Sequence, residues 1–221
     1  MNYLTHQLLN TEEINFINRE LEKSSTEWED GKKTAGTYAS QVKNNLQLKR
    51  ESEVSKNNTK FIINKLNTDQ LIKSFSLTKK VHGTIFTKSK KGMKYGRHID
   101  NTFMSSGRAD LSFTLFLSDV DRYSGGELII ENINSKNQFK LNAGQILIYP
   151  STYLHSVKEV TQGERFVFIG WIESYVKSIE EREYLFDLDA GARGLLAKNG
   201  RSDELDLIFK SYSNLLRVLG N

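Results

Sequence analysis

The stretch DLSFTLFLSD, residues 110–119, decides the fold, because its apolar residues recur at every second position. In an extended strand, successive side chains point to opposite sides, so alternate residues share a face. A repeat of two residues therefore predicts a β-strand here. The residues of one face are Leu111, Phe113, Leu115 and Leu117, and those of the other face are Ser112, Thr114 and Phe116.

Further short strands are predicted around this stretch, from about residue 81 to residue 173. The segments SGGELIIEN (124–132), FKLNAGQILIYP (139–150) and RFVFIGWIE (165–173) have the composition of strands and are punctuated by turn residues such as glycine, serine and asparagine. Several short strands with irregular connections are typical of a sandwich or a barrel. The sequence thus predicts a mainly β core over residues 81–173.

The segment before the core, residues 1–80, has a helical repeat and is predicted to form a helical layer that packs on the core. Asn10 and Glu13 are spaced as a capping box at the start of the first helix. Two further helices are expected over residues 58–66 and 68–77. The stripe predicted to be buried consists of Ile14, Ile17, Leu21, Phe61, Ile62, Leu66, Leu71, Ile72 and Phe75.

Two other segments complete the outline. Residues 28–45 show no apolar repeat and are expected to form a loop with one strand; their polar run QVKNN, residues 41–45, either lines a substrate entrance or caps turns. Residues 174–221 return to the helical repeat and are predicted to form a C-terminal helical extension. Within that extension, GARG (191–194) is expected to loosen the join between two helices.

The composition excludes several classes of protein. The chain of 221 residues has no cysteine, so disulfides and thiolate metal sites are excluded, and any metal must bind to nitrogen and oxygen. No apolar run approaches the roughly 18–20 residues that cross a bilayer. The first residues lack a signal-peptide pattern, so we expect no export, no membrane association and a cytoplasmic location, in a bacterium or a virus-infected host cell. The net charge of +4 is mild and no nucleic-acid-binding motif is present, so nucleic acid is not an expected partner.

Three residues have the chemistry of a metal site. His98 and Asp100 stand two positions apart, and on an extended segment both side chains point the same way. His155 follows the predicted strand QILIYP, 57 residues after His98. Two imidazoles and a carboxylate that meet at one point form the facial triad of non-haem Fe(II) sites, which leaves one face of the metal open. Zinc accepts the same ligands and is the competing metal.

An arginine ten residues after His155 adds a second feature. Arg165 lies on a strand face whose following residues are apolar, so its side chain is expected to be buried and to need a carboxylate partner. A bound dicarboxylate such as 2-oxoglutarate fits, because one end can chelate iron while the guanidinium holds the other end through two hydrogen bonds. An internal ion pair with Glu127 or Glu131 is the alternative.

These motifs and several other blocks make the sequence similar to a known family. The blocks are WEDGKKTAG, QVKNN, YGRHID, RADLSFTLFLSD, YSGGEL and LNAGQILIYPSTYLHSV. With the helical tail, they resemble the bacterial PKHD-type Fe(II)/2-oxoglutarate-dependent hydroxylases, which are relatives of the prolyl 4-hydroxylases, over nearly the whole chain. The resemblance implies a double-stranded β-helix (jelly-roll) core. It also implies that His98, Asp100 and His155 bind Fe(II) and that Arg165 binds the C5 carboxylate of 2-oxoglutarate.

The resemblance implies a reaction as well. Fe(II), 2-oxoglutarate and O₂ would hydroxylate a C–H bond with release of succinate and CO₂, and ascorbate would serve as an accessory reductant. The expected substrate is a prolyl residue in a peptide or protein. The alternatives are a hydroxylase or demethylase of a small molecule, a lipid or a nucleobase, and a non-catalytic jelly-roll module that binds a metal.

The sequence departs from the family at two positions where relatives have a tyrosine that contacts 2-oxoglutarate. Ser89 stands about nine residues before the HxD motif, where most relatives have the first tyrosine. Phe116 stands where the animal prolyl hydroxylases have the second. Tyr149, six residues before His155, is therefore expected to supply a hydroxyl to the cosubstrate.

A basic cluster just before the predicted metal ligands is expected to rim the mouth of the pocket. Its positive field would attract an acidic peptide and speed the encounter. The cluster consists of Lys88, Lys90, Lys91, Lys94 and Arg97. Among the other charged residues, Arg108 and Asp110 are expected to form an ion pair, and His6 and His82 match no motif and are expected to be structural or exposed.

Overall fold

The computed structural model describes residues 3–132 and 135–221 and contains two groups of helices that flank a set of strands. The helices are α1 (Thr11–Lys23), α2 (Thr37–Ser40), α3 (Glu53–Thr68), α4 (Gln70–Ser76), α5 (Ile179–Asn199) and α6 (Asp203–Leu219), and short 3-10 helices span Ser25–Glu27 and Gly31–Thr34. The strands are β1 (Leu4–Gln7), β2 (Trp28–Asp30), β3 (Lys43–Asn44), β4 (Leu46–Leu48), β5 (Thr78–Lys90), β6 (Lys94–His98), β7 (Phe103–Met104), β8 (Gly107–Arg108), β9 (Leu111–Phe116), β10 (Tyr123–Gly125), β11 (Leu128–Asn132), β12 (Ser135–Phe139), β13 (Gln145–Pro150), β14 (Leu154–Val157) and β15 (Val160–Ser174).

Two antiparallel sheets form the core. The larger sheet has the order β1-β13-β9-β15-β5-β4-β2, with β10 paired to β15, and the smaller sheet has the order β12-β11-β14-β6-β3. Strands β7 and β8 form a separate hairpin. Neighbours such as β6 and β14 are far apart in the chain, which is the connectivity of a jelly roll rather than of a simple meander. The predicted mainly β fold, with a double-stranded β-helix core and flanking helices, is confirmed.

Strand β9 lies between β13 and β15 in the larger sheet, and all 6 of its residues are buried. One face, with Leu111 and Leu115, packs into a cluster that includes buried residues of α1 and α3. The other face, with Ser112 and Thr114, lines a cavity between the two sheets. Helices therefore cover one side of this strand and the second sheet covers the other, so even its polar residues are shielded from bulk water.

In the N-terminal helices the predicted capping box is present, but the predicted set of buried residues is only partly correct. The capping box of α1 is present, because Asn10 accepts from the backbone N–H of Glu13 and Glu13 accepts from that of Asn10. The prediction that Phe61 and Leu71 are buried is wrong, because Phe61 is 38% exposed and Leu71 is 37% exposed. Each stands one position before the buried residue of its turn, about 100° around the helix, and so faces solvent instead of the sheet.

The N-terminal segment also contributes strands to both sheets, which its helical repeat did not predict. Strand β1 pairs with β13, β4 and β2 extend the larger sheet beyond β5, and β3 pairs with β6 at the edge of the smaller sheet. Residues 28–45 are thus not a loop with one strand but contain β2, β3, α2 and a 3-10 turn. The division of the chain at residues 80 and 173 stays a prediction. Strand β5 spans residue 80, so the first boundary falls inside a strand.

The C-terminal extension consists of α5 and α6, which pack on each other. The prediction that residues 191–194 loosen a join was wrong, because α5 runs without interruption through them. At Gly191 and Gly194 an added Cβ would meet no atom within 4 Å, so the glycines lie on the open side of the helix. Buried residues on the other side, including Leu185 and Ala192, hold the helix in place. Among the described residues, no helix is long and apolar enough to cross a membrane.

Candidate active site

Strand pairing in the smaller sheet brings the three predicted metal ligands together. His98 ends β6 and lies directly opposite His155 on β14, and Asp100 follows β6 by two residues. Ligand atoms of the three residues all lie within 4.8 Å of one another. Nε2 of His155 is 3.7 Å from Oδ2 of Asp100. Both histidines are 5% exposed, so the cluster is shielded from bulk water but open to the cavity.

Backbone carbonyls fix which nitrogen of each imidazole is available. Nδ1 of His98 lies 2.8 Å from the carbonyl oxygen of Gly96, and Nδ1 of His155 lies 3.0 Å from that of Tyr153. A carbonyl oxygen can only accept, so each Nδ1 carries a proton, and in the neutral form of either ring the lone pair is on Nε2. Burial, together with the neighbouring His155, lowers the pKa of His98 to about 4, so this ring is neutral at pH 7. The donor set therefore fits a divalent metal ion.

The carboxylate is oriented by a pair of serines. Ser112 on β9 donates a hydrogen bond of 2.6 Å to Oδ2 of Asp100, and its oxygen is 2.7 Å from the hydroxyl of Ser151. Ser112 and Ser151 are both buried, at 3% and 5% exposure. Sequence reasoning missed this role, although the polar positions of the alternating stretch 110–119 were the signal for it.

Two tyrosines form walls beside the imidazoles. The ring of Tyr95 stacks on His98 with centroids 3.6 Å apart, and the ring of Tyr149 meets His155 edge-on at 5.4 Å. Tyr149 is buried, and burial raises its pKa well above its ordinary value, so its hydroxyl stays protonated and can donate. Tyr149 lines the same cavity as the metal ligands, where the sequence placed it.

Arg165 is buried in the same cavity without a carboxylate partner. It is 3% exposed, and among the described residues its Nε has no hydrogen-bond partner, although the guanidinium contacts the hydroxyl of Tyr123. Its Cζ lies 5.5 Å from the ring centroid of Phe116. The alternative of an internal ion pair does not hold among the described residues, since Glu131 pairs with Arg97 and Glu127 with Lys158. A buried guanidinium of this kind needs an incoming anion.

The cavity has a volume of about 600 Å³ and is lined by both sheets and by the N-terminal segment. Its lining includes the three clustered ligands, Arg165 and Ser89, the last of which lies directly opposite Arg165 on β5. The charged residues of the lining are Lys33, Lys43, Arg50, Asp100 and Arg165. Asp100 is therefore the one acidic group in a lining that is otherwise cationic, among the residues that the structure describes.

The basic cluster expected at the mouth lies elsewhere, so that prediction was wrong. None of its five residues lines the cavity. Successive residues of β5 alternate, so that Thr87 and Ser89 face inward while Lys88 and Lys90 face outward. Lys88 lies over the ring of Trp28, and the ammonium of Lys90 is 3.1 Å from Glu164. Lys94 and Arg97 likewise approach outer carboxylates, those of Glu159 and Glu131.

The remaining charged residues behave as the sequence predicted. Arg108 donates two hydrogen bonds of 2.7 and 2.8 Å to Asp110, which forms a structural ion pair. His6 contacts Asp69 at 2.9 Å, and His82 contacts the hydroxyl of Ser106. Within the polar run 41–45, Lys43 and Asn45 line the cavity. The first of the two readings of that run therefore holds for these two residues.

Comparisons with known proteins give the same picture. A family model described as the 2OG-Fe(II) oxygenase superfamily matches residues 84–173. A PKHD-type hydroxylase of Prochlorococcus marinus strain MIT 9215 is 72% identical over 220 residues, and the match covers 100% of both chains.

Solved structures of low sequence identity share the fold. A prolyl-4-hydroxylase of Pseudomonas putida has a TM-score of 0.56 at 16% identity, covering 78% of this chain and 92% of that one. A prolyl hydroxylase of Trichoplax adhaerens, solved with a peptide fragment of the hypoxia inducible factor oxygen degradation domain, has a TM-score of 0.56 at 12% identity, covering 83% of this chain and 86% of that one. On full-length identity and on the family model, this chain belongs to the PKHD-type hydroxylases of the 2OG-Fe(II) oxygenase superfamily.

Proposed function

We propose that this hydroxylase acts on a prolyl residue in a peptide or protein and releases succinate and CO₂. In this proposal His98, Asp100 and His155 hold Fe(II), and Arg165 holds the C5 carboxylate of 2-oxoglutarate. The observation that carries it is the buried Arg165, which has no carboxylate partner among the described residues, in the same cavity as three converging metal ligands.

The metal and the cosubstrate would supply the oxidation, in which O₂ is reduced, 2-oxoglutarate becomes succinate and CO₂, and one oxygen atom enters the C–H bond of the substrate. The protein binds and orients the reactants. The carbonyls behind His98 and His155 keep their Nε2 atoms directed at one point, and Ser112 keeps the carboxylate of Asp100 there. Zinc would fit the same atoms, but the family is one of iron enzymes, and we propose Fe(II).

Arg165 would neutralise the far end of the cosubstrate in a region from which water is excluded. Its fork can form two parallel hydrogen bonds to a carboxylate, which an ammonium cannot. We propose that Tyr149 assists by donating a hydrogen bond from its hydroxyl to the cosubstrate, because burial keeps this hydroxyl protonated. Tyr149 would then replace the hydroxyl that relatives have where this chain has Ser89, which is too short to reach as far.

The prolyl substrate is supported by the shared fold and not by a contact in this chain. The Trichoplax adhaerens structure contains a peptide fragment, and the Pseudomonas putida structure is a prolyl-4-hydroxylase. A cavity of about 600 Å³ that opens between sheet and N-terminal segment can admit one ring and part of a backbone. We also propose ascorbate as an accessory reductant and the cytoplasm as the location.

Two measurements on one sample test this function. Fe(II) and 2-oxoglutarate are first titrated into the protein without O₂, and the visible absorbance of the complex is followed. Air and a prolyl peptide are then added, and the amounts of succinate and hydroxyproline formed are measured. His98→Ala, Asp100→Ala and His155→Ala should each lose the absorbance band and turnover while remaining folded by circular dichroism. A full band in any of the three variants would exclude that residue as a ligand, and turnover of free proline alone would exclude a peptide substrate.

A further inference from the structure

Lys43 is a buried lysine that forms no ion pair with any carboxylate of the described residues. It is 5% exposed and lines the cavity from β3, at the edge of the smaller sheet. Its ammonium lies 5.2 Å from the ring centroid of Tyr95, and that ring stacks on the proposed iron ligand His98. Among the described residues, no carboxylate lies within the 4.0 Å of an ion pair with Lys43, and Asp100 attracts its ammonium only from a longer distance.

Burial distinguishes Lys43 from the other described lysines, none of which is buried. Lys65 lies 2.5 Å from a carboxylate oxygen of Glu13, and Lys33, at the mouth of the same cavity, lies 2.7 Å from Glu29. Burial lowers the pKa of Lys43 to about 8, so the side chain is still cationic in most protein molecules at pH 7. Taking an ammonium out of water costs several kcal/mol unless an anion accompanies it. The protein bears this desolvation cost at Lys43, which faces the cavity.

The charges of the loaded site leave this cation unmatched. The three positive charges of Fe(II) and Arg165 together balance the three negative charges of 2-oxoglutarate and Asp100. Asp100, the carboxylate that most attracts Lys43, is itself a proposed iron ligand. No further acidic residue lines the cavity in the part of the chain that the structure describes. Lys43 therefore still lacks a counter-charge after the metal and the cosubstrate have bound.

Lys43 and Arg165 also stand on different walls. Arg165 lies on β15 of the larger sheet and Lys43 on β3 of the smaller one, so the cavity has two separate cationic anchors. The 2-oxoglutarate molecule accounts for Arg165. On this basis, and resting on the proposed function, we propose that Lys43 binds a carboxylate of the substrate and so selects substrates that carry one near the reacting C–H bond.

The test uses two compounds that differ only in charge, N-acetyl-L-proline and its neutral amide, N-acetyl-L-prolinamide. Each is titrated by calorimetry into the full-length protein loaded with Fe(II) and 2-oxoglutarate in the absence of O₂. We expect the parent protein to bind the carboxylate about tenfold or more tightly than the amide, because a hydrogen bond between charged groups is lost with the amide. Lys43→Met should abolish this preference, and its dissociation constant for 2-oxoglutarate should stay within about twofold of the parent value.

Lys88→Met is the matched control. Lys88 also lies over an aromatic ring, that of Trp28 at 4.6 Å, but it faces away from the cavity. This variant should keep the full preference for the carboxylate. If Lys43→Met does not fold, Lys43→Gln retains a polar end and takes its place; unchanged binding of 2-oxoglutarate shows that either variant is folded.

Three outcomes would overturn the proposal. The first is a preference for the carboxylate that survives in Lys43→Met. The second is weakened binding of 2-oxoglutarate in that variant, which would assign Lys43 to the cosubstrate. The third is a parent protein that binds both compounds equally tightly. Failure of the proposed function would look different, because the parent would then show no absorbance band with Fe(II) and 2-oxoglutarate, or would bind neither compound.

Discussion

At the scale of single residues, hydrogen bonds orient the proposed iron ligands before any metal binds. The most informative of these bonds is the one from Ser112 to Asp100, because it is short and buried and comes from a different strand. Ser112→Ala would leave the carboxylate free to rotate. Loss of a group that orients a ligand costs about 10- to 100-fold in metal affinity, so we expect an Fe(II) dissociation constant raised by that factor in an anaerobic titration.

Ser118→Ala provides the comparison for this variant. Ser118 is also buried and hydrogen-bonded, to the backbone of Phe166 and Glu164, but it lies outside the cavity. Its removal should lower thermal stability and leave the affinity for Fe(II) unchanged. Equal Fe(II) affinities in both variants and the parent would show that Asp100 needs no support from Ser112.

Arg165 gives a prediction about the cosubstrate. Arg165→Lys keeps the charge but loses the planar fork, so only one of two hydrogen bonds to a carboxylate can form. Truncating such a buried charged contact costs about 2–5 kcal/mol. We therefore expect the dissociation constant for 2-oxoglutarate to rise at least tens-fold while Fe(II) still binds. An unchanged value in the absorbance titration would make Arg165 a structural residue.

Sequence reasoning reached the residues that carry reactive groups but not those that support them. Spacing alone suggested His98, Asp100 and His155, because metal chemistry restricts which side chains can take part. Serine has no such restriction, so the polar face of residues 110–119 singled out Ser112 without indicating which group it supports. Lys43 lay in a polar run that was expected either to line a substrate entrance or to cap turns, and the sequence did not decide between the two.

At the scale of elements, replacing a glycine by alanine is expected to change thermal stability in opposite directions in α5 and in the larger sheet. Gly191 lies inside a helix, and a Cβ there would meet open space. Gly191→Ala should therefore stabilise the protein by about 0.5–1 kcal/mol, since alanine restricts the unfolded chain more than glycine does. The expected result is a higher midpoint in thermal unfolding, with the activity unchanged.

Gly163→Ala is the contrasting variant and should lower the midpoint. Gly163 has a φ of +75°, where a side chain is strained, and an added Cβ would collide with the backbone of Arg122. Two equal midpoints would contradict the packing described for these elements.

The elements that the sequence predicted correctly are those with a dominant repeat. The period of two in residues 110–119 identified β9, and the spacing of Asn10 and Glu13 identified the start of α1. The strands of residues 28–48 were missed because each has only two or three residues, too few to show a period. They form because existing sheet edges offer them backbone partners, a tertiary effect that local composition does not reveal.

At the scale of the whole molecule, cofactor binding should be visible as stability. Fe(II) and 2-oxoglutarate bind only the folded chain, since their proposed ligands come from separate strands. Ligand at about 100 times its dissociation constant adds about 2.7 kcal/mol, and each kcal/mol shifts Tm by about 2–4 °C for a domain of this size. We therefore expect each ligand to raise Tm by about 5–10 °C, and both together by about 10–20 °C, when they are added without O₂ and unfolding is followed by circular dichroism.

The variant Arg165→Lys separates the two contributions to this shift. It should keep the part due to the metal and lose most of the part due to 2-oxoglutarate. A shift that is the same with and without 2-oxoglutarate would contradict a shared site.

The pairing of β1 with β13 has a consequence for how the protein is made in the cell. Leu4 lies opposite Ile148, so strand β1 waits for a partner that is synthesised only after about two thirds of the 221 residues. The third proposed iron ligand, His155, and the anchor Arg165 emerge later still. Because domains built from such distant pairs fold slowly, the nascent chain has no finished site to offer. Iron can then be held by all three proposed ligands only after His155 has been synthesised, and a product truncated before this residue would lack one of the three.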